Sequence, residues 1–86
     1  MRGLHWDPGA WEEYNNLTEG NRKKVNKLIK DIQRNGYNCE GHVEMLKGNL
    51  KGKASVRINH KDRLVFRVTG DTVDIAQCGG HYDVIP

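Results

Sequence analysis

A general base, a pair of fixed cations and a general acid are enough for a protein to cleave RNA without a metal ion. The base takes the proton of the attacking 2′-hydroxyl, the cations hold the phosphate as charge builds on it, and the acid protonates the departing 5′-oxygen. The second half of this sequence offers one candidate for each role, with Glu44 as base, Arg57 and Arg63 as cations, and His81 as acid. Cleavage of RNA is therefore one chemistry that the chain could perform.

Arg57 and Arg63 are suited to a phosphate clamp. A guanidinium matches phosphate oxygens with two parallel hydrogen bonds and stays charged at any working pH. The alternative interpretation is a pair of ordinary surface arginines on neighbouring strands. The two interpretations differ in the surroundings that they require, because like charges placed side by side without an acidic neighbour cost stability unless a ligand compensates.

His81 is the candidate acid because histidine is the side chain that titrates near neutral pH without a large perturbation. Tyr82 beside it could stack on a base or orient the phosphate. Three more histidines compete for the acid role: His5, His42 and His60. His42 is the strongest of these rivals, since it stands two positions before Glu44. The sequence lacks a metal-ligand signature, so no metal or other cofactor is expected.

The strands that must carry the two arginines are predicted by alternating apolar residues. In a strand over 54–58, apolar side chains alternate with Ser55 and Arg57, which turns Arg57 away from the core. In the next strand, over 63–68, Leu64 and two further apolar side chains share one face and leave Arg63 on the other. Arg57 and Arg63 are therefore predicted to lie on the same open face of a sheet.

The first half of the chain predicts a short strand and two helices. The strand covers residues 3–7, and the first helix opens at Pro8 and is interrupted at Gly20. The second helix is predicted to be capped by Asn21 and ended by Gly36. Its apolar residues follow at helical spacing, with lysines on the other face: Val25, Leu28, Ile29 and Ile32.

The order of these elements predicts the fold class. Residues 37–52 are expected to be irregular. A last strand runs over 72–78 after the turn at Gly70 and Asp71, and Gly79 and Gly80 are expected to end it or to bulge it. Strand, helix, helix and three strands give an α+β fold, an antiparallel four-stranded sheet with both helices packed on one face. Residues 1–86 have room for one such domain.

Composition adds weak constraints. The formal net charge is +3, and the basic residues cluster over 22–30, 47–61 and 63–67, a distribution that attracts polyanions. Cys39 and Cys78 form no Cys-x-x-Cys pair, and free thiols in a reducing cytosol are expected. The sequence contains no apolar run of signal-peptide or membrane-spanning length, so a cytoplasmic protein that does not enter the membrane is expected.

Four short segments keep the order and spacing of a known family: residues 44–52, 55–58, 62–66 and the pair His81-Tyr82. They resemble the Pro-Glu-x-Leu-Lys loop, the Ser-Arg-Arg-Ile strand, the His-Arg-Leu-Val-Tyr strand and the terminal His-Tyr of the YoeB type (Txe/YoeB) in the RelE/ParE toxin superfamily. Trp6, Trp11 and residues 27–32 agree with that family too. The resemblance therefore covers nearly the whole chain.

This resemblance implies a RelE-like fold, a function and a set of site residues. The family cuts messenger RNA in the ribosomal A site, leaves a cyclic 2′,3′-phosphate and often dimerises. A co-expressed antitoxin with a disordered tail neutralises it, here expected to be of the YefM/Phd type. Carried over by motif, the residues are base Glu44, phosphate-binding Arg57, Arg63 and Lys47, acid His81, and Tyr82 beside it.

The chain departs from the family pattern in the strands and loop that carry these residues. Val43 replaces the proline before the glutamate, and Asp62 replaces the histidine before Arg63. Ala54 and Val56 replace an aromatic residue and the first arginine of their strand, and residues 83–86 follow His81-Tyr82, where the family commonly stops. Fewer cations should weaken contact with RNA.

Two other functions stay open on the same fold. A ParE-like inhibitor of DNA gyrase would bind without catalysis and would not need His81 together with Glu44. An attenuated homologue that binds RNA without cutting it is allowed by the arginine lost at Val56. Cleavage of messenger RNA on ribosomes separates the nuclease from both.

Overall fold

The computed structural model describes residues 1–80. Its strands and helices follow in the order β1 (Gly3–Trp6), α1 (Pro8–Asn15), α2 (Glu19–Asn35), β2 (Val43–Met45), β3 (Ala54–Arg57), β4 (Arg63–Thr69) and β5 (Thr72–Cys78). Two short 3₁₀ helices, Gly36–Asn38 and Gly48–Leu50, flank β2. The α+β class with two helices ahead of the main strands is confirmed.

The sheet differs from the predicted one in strand number and in direction. It has five strands in the order β1-β5-β4-β3-β2, and β1 runs parallel to β5, whereas the other neighbours are antiparallel. The extra strand, β2, lies within residues 37–52, which were expected to be irregular. The prediction of a four-stranded antiparallel sheet was therefore wrong in these two details, while the helices on one side are as expected.

Helix α2 covers the sheet with the apolar stripe predicted for it. Val25, Ile29 and Ile32 are buried, and they form one cluster with apolar residues of the central strands, among them Leu64 and Phe66. The helix begins earlier than predicted, because Thr18 and not Asn21 is the cap: the Thr18 hydroxyl accepts a hydrogen bond from the Asn21 backbone N–H at 3.3 Å.

The ends of the helices follow from local chemistry. Gly36 ends α2 with φ 60°, a conformation that glycine adopts without steric cost. Helix α1 begins at Pro8 as predicted but ends at Asn15, so Gly20 lies in the first turn of α2 and does not interrupt α1. The aromatic rings of Trp6, Trp11 and Tyr14 pack together beside α1, with ring centroids 5.0–5.6 Å apart.

Two further expectations can be compared with the structure. Cys39 and Cys78 are free thiols, as predicted, and the structure shows that both are buried. Gly79 and Gly80, which were expected to end or to bulge the last strand, follow its end with φ 110° and 72°. The irregularity in the pairing of β4 with β5 lies instead near Val65 and Phe66. None of the helices within residues 1–80 has the length and apolarity needed to span a membrane.

Candidate active site

The sheet face opposite the helices, here called the open face, presents polar side chains in rows that cross the strands. Residues paired in register point to the same side of a sheet. Arg57 of β3 is paired directly with Arg63 of β4, and Glu44 of β2 is paired with Ser55, two residues before Arg57. Extending the β2–β3 register by one residue places His42 opposite Arg57.

These side chains line one cleft. It has a volume of about 400 Å³ and is bounded by His42, Glu44, Arg57 and Arg63. His42, Glu44 and Arg57 are exposed, and Arg63 is partly buried at the start of β4. The structure thus brings together three of the predicted residues, the base candidate and both arginines, and adds the histidine that was the strongest rival for the acid.

The two guanidinium groups have no compensating partner in the described part of the protein. Within residues 1–80, neither Arg57 nor Arg63 forms an ion pair or a side-chain hydrogen bond. Glu44 shares their cleft without forming an ion pair with either. Two like charges directly opposite each other on adjacent strands repel. This arrangement favours a bound anion, because a phosphate can accept hydrogen bonds from both groups.

The structure does not place the other predicted site residues in this cleft. Lys47 is exposed and lies just beyond β2, next to the 3₁₀ helix Gly48–Leu50, and it is not among the four described residues that line the cleft. His81 and Tyr82 lie outside the described residues, as do residues 83–86. The role of each therefore stays a prediction.

The backbone that leads toward His81 is held tightly as far as Gly80. A Glu13 carboxylate oxygen accepts a hydrogen bond from the Cys78 N–H at 3.1 Å. The Arg63 carbonyl accepts one from the Gly79 N–H at 2.8 Å, and the Asp62 carboxylate accepts one from the Gly80 N–H at 2.9 Å. Three successive N–H groups, from the last residue of β5 to Gly80, thus fix the chain next to Arg63.

Asp62 has a role that sequence reasoning missed. The sequence pattern indicates only the loss of a cation before Arg63, whereas in the structure the Asp62 carboxylate joins the β3–β4 turn to Gly80 and also accepts a hydrogen bond from the Asn59 side chain at 3.0 Å. The Asn59 side-chain oxygen in turn accepts hydrogen bonds from the N–H groups of Lys61 and Asp62, both at 2.8 Å. An asparagine that starts such a turn was the available signal.

The substitutions at Ala54 and Val56 fall on the other side of the sheet from the cleft. Both residues are buried, with exposed fractions of 0% and 2%, in the cluster beneath the helices. An apolar residue at Val56 therefore fills the core of this protein. Its lack of charge removes no cation from the row formed by Arg57 and Arg63.

The Cys78 thiol lies under the site and is not a nucleophile for it. Burial raises the pKa of Cys78 to about 12, and the carboxylates of Glu13 and Asp62 act in the same direction. Burial also raises the pKa of Cys39, with the Asp31 carboxylate acting in the same direction. Both thiols are therefore held in the neutral form, which is the unreactive one.

The two helices on one sheet face and the arginine-lined cleft on the other define a two-layer protein of the α+β class. Comparison with known proteins places the scaffold more narrowly. The family model described as the YoeB-like toxin of bacterial type II toxin-antitoxin systems matches residues 6–82. The chain belongs to this YoeB-like toxin family.

Individual relatives agree with the family assignment over nearly their whole length. The chain is 42% identical to Toxin YoeB of Escherichia coli strain K12 over 82 residues, which covers 92% of this chain and 98% of that protein. A solved YoeB-YefM complex from Staphylococcus aureus matches with a TM-score of 0.84 and 40% identity, covering 95% of this chain and 99% of that one. A YoeB dimer from the same species matches with a TM-score of 0.83 and 40% identity over 94% and 98% of the chains.

Proposed function

We propose that this protein is the toxin of a type II toxin-antitoxin pair and cuts messenger RNA on the ribosome without a metal ion. The observation that carries the proposal is the cleft in which Arg57 and Arg63 face each other beside Glu44, with no acidic partner among residues 1–80. A plain pair of surface arginines would be expected to have such a partner.

In this mechanism Glu44 removes the proton of a ribose 2′-hydroxyl, whose oxygen then attacks the adjacent phosphorus. A new bond forms between the 2′-oxygen and phosphorus, and the bond between phosphorus and the 5′-oxygen breaks. Arg57 and Arg63 donate hydrogen bonds to the phosphate oxygens while negative charge builds on them. The products are a 2′,3′-cyclic phosphate and a 5′-hydroxyl, so the reaction consumes no water in this step.

His81 supplies the proton that the departing 5′-oxygen requires, and Tyr82 stacks on a neighbouring base. This assignment rests on the family motif, supported by the three hydrogen bonds that hold residues 78–80 beside Arg63. Lys47 assists by attracting the RNA backbone. His42 is the competing acid, because it lines the same cleft as the arginines.

The test is cleavage of messenger RNA by programmed ribosomes. Glu44→Ala and His81→Ala should each abolish cleavage, His42→Ala should leave most of it, and Lys30→Ala on the exposed side of α2 is the matched control. Full cleavage by both the Glu44 and His81 variants would refute the mechanism. Loss in His42→Ala with activity kept in His81→Ala would assign the acid role to His42.

Two companion assays, gyrase supercoiling and ribosome binding, separate the alternatives. Inhibition of DNA supercoiling by gyrase without RNA cleavage would show the ParE-like function. Binding to ribosomes without cleavage would show an attenuated homologue. A parallel reaction with free RNA shows whether the ribosome is required.

The partners proposed for this chain follow those of its relatives. A Staphylococcus aureus YoeB forms a complex with YefM, and the same type of protein has been solved as a dimer. We propose a YefM/Phd-like antitoxin for this toxin, acting in the cytoplasm, and a homodimer in its absence. An acidic segment of the antitoxin should cover Arg57 and Arg63, because two unpaired guanidiniums form an anion site. Protection of both arginines from a guanidinium-modifying reagent in the complex would support this, and unchanged modification would contradict it.

A further inference from the structure

A second group of charged residues lies at the other end of the open face. It consists of Lys53, Arg67, Asp74 and His5, here called the distal row. Arg67 of β4 is paired with Asp74 of β5, which is paired with His5 of β1. Lys53 directly precedes β3, and extending the β3–β4 register by one residue places it opposite Arg67. The distal row therefore crosses the sheet from the edge strand β1 to the start of β3 and does not include β2.

The distal row faces the same side as the cleft. Arg67 follows Arg63 by four residues on β4, and an even number of residues keeps two strand side chains on one face. At about 3.3 Å per residue, the two arginines lie about 13 Å apart along the strand. The row between them holds Glu44, Ser55, Val65 and Gln77, and none of these side chains is a cation. Ser55 and Val65 are buried, with exposed fractions of 1% and 0%, so the face is covered between the two arginines. The open face thus has two separate cationic positions.

The cations of the distal row are available to a ligand. Asp74 interacts with His5, at 3.5 Å between the carboxylate oxygen and Nδ1. In the described chain the Arg67 guanidinium forms no ion pair, although Asp74 is its direct cross-strand neighbour. Arg67 is exposed, and it lines a cleft of about 330 Å³ with Lys53, His5 and Asp74. Asp7, which is also exposed, completes the polar lining.

We propose that the distal row is a second RNA-binding site that takes a sugar-phosphate unit a few nucleotides from the scissile bond. Arg67 and Lys53 bind the phosphate, since both are positively charged and neither is held by a carboxylate. The carboxylates of Asp74 and Asp7, which line the same cleft, would select RNA over DNA, because a carboxylate accepts a hydrogen bond from a ribose 2′-hydroxyl. This proposal extends the proposed function, and the identification of the ligand as RNA rests on that function.

This arrangement predicts that the distal row acts on binding and not on the chemical step. A contact 13 Å from the scissile phosphate, as estimated from strand geometry at about 3.3 Å per residue, binds ground state and transition state equally. Removing it should raise KM and leave kcat unchanged. The phosphate could belong to the messenger or to ribosomal RNA, and the two sources share one chemistry.

The experiment compares the double variant Lys53→Ala/Arg67→Ala with Lys27→Ala/Lys30→Ala, which removes two exposed cations from α2. Binding is measured against salt concentration, first with a single-stranded oligoribonucleotide and then with ribosomes that carry no messenger. Loss of two phosphate contacts should lower the slope of log K against log salt by about 1.4 for a single strand. The α2 variant should keep the slope of the native protein.

A reduced slope with the oligoribonucleotide supports the proposal and assigns the phosphate to the messenger. A reduced slope with ribosomes alone supports it and assigns the phosphate to ribosomal RNA. Unchanged slopes in both, or a slope that falls equally in the α2 variant, overturn the proposal, as does a fall in kcat at saturating substrate with KM unchanged. A deoxyribonucleotide that binds as tightly as the ribonucleotide overturns the role of the carboxylates. The binding measurements need no cleavage, so a native protein that binds RNA but fails to cut it disproves the proposed function separately.

Discussion

Gly41 lies where the structure leaves no room for a methyl group. A Cβ atom at this position would lie 2.5 Å from Cγ2 of Val56 and 3.4 Å from Cδ2 of Leu28. Apolar carbons pack at about 3.5–4.0 Å, so one of the two segments must shift by about 1 Å. Val56 is buried and β-branched and cannot easily move aside. Gly41→Ala therefore introduces overpacking, which costs about 1–3 kcal/mol.

An opposing effect is smaller. Gly41 does not have a positive φ, so alanine can adopt its backbone conformation. Alanine in place of glycine then stabilises by about 0.4–1 kcal/mol, through a less flexible unfolded chain. The expected net loss is about 1.3 kcal/mol from the midpoints of the two ranges, with limits of about 0 and 2.6 kcal/mol. For a domain of this size, each kcal/mol corresponds to a fall in Tm of roughly 4–8 °C. Thermal unfolding followed by circular dichroism resolves such a change.

A second substitution identifies the cause. Val56→Ala removes the methyl group that the new Cβ would meet, and on its own it leaves a cavity that costs roughly 2 kcal/mol. In Gly41→Ala/Val56→Ala the added methyl partly fills that cavity. The double variant should therefore be more stable than the sum of the two single losses by at least about 0.5 kcal/mol. Losses that add within about 0.3 kcal/mol would refute the steric argument.

The same variants report on the cleft. Gly41 directly precedes His42, and β2 with Glu44 follows. A shift of this segment should slow RNA cleavage in Gly41→Ala, and the Val56→Ala change should restore part of the rate. Cleavage that stays at the native rate while stability falls would show that the displacement is absorbed on the Val56 side.

Three further expectations concern stability. Asp62→Ala should lower the free energy of unfolding by about 1.5–3 kcal/mol, because the Gly80 N–H loses a charged acceptor. Asp62→Asn should lower it less, since asparagine keeps an oxygen that can accept this hydrogen bond. Equal urea midpoints for both variants would contradict this. The pKa of Cys78 is raised from 9.0 to about 12, so the stability that the buried neutral thiol contributes is present below pH 9.0 and is lost as pH rises toward 12. Cys78→Ala should remove this part of the loss of stability at alkaline pH. A free energy of unfolding with an unchanged pH profile would show another cause. Tyr37→Phe removes the hydroxyl that accepts a hydrogen bond from the Val68 N–H at 2.9 Å. It should lower the free energy of unfolding by about 0.5–1.5 kcal/mol and speed hydrogen exchange at the Val68 amide. Unchanged exchange would mean that water replaces the hydroxyl.

The parts of the fold with a long periodic pattern could be predicted from the sequence. The apolar stripe of α2 and the alternation in β3 and β4 each extend over enough residues to identify the element and its buried face. The positions of Arg57 and Arg63 on one open face follow from that alternation. Their direct pairing is a matter of register, which the structure supplied.

The elements that were missed are short or depend on distant partners. Strand β2 has three residues, too few for an alternating pattern, and it forms because β3 offers an edge. The direction of β1 depends on its pairing with β5, which lies far away in the chain. Thr18 and Asn21 are both good cap residues, and only the geometry of the first turn distinguishes them.

The candidate site shows the same division. Residues carried on regular strands were predictable, whereas His42 enters the cleft through the register of β2. The binding of Gly80 by Asp62 joins a turn to the end of a strand and depends on tertiary structure. Sequence reasoning therefore found the charged groups and missed the contacts that position them.

The position of β5 in the sheet affects how the protein folds during its synthesis. β5 lies between β1 and β4 although it is synthesised after both, and Gly3 must wait for Thr72 before it can pair. Pairing across such a long separation is slow, and until it occurs the edges of β1 and β4 are open to other chains. The sheet that supports Arg63 is thus completed only after nearly the whole described chain has been made. A chain with this topology therefore cannot assemble the complete sheet until β5 has been translated.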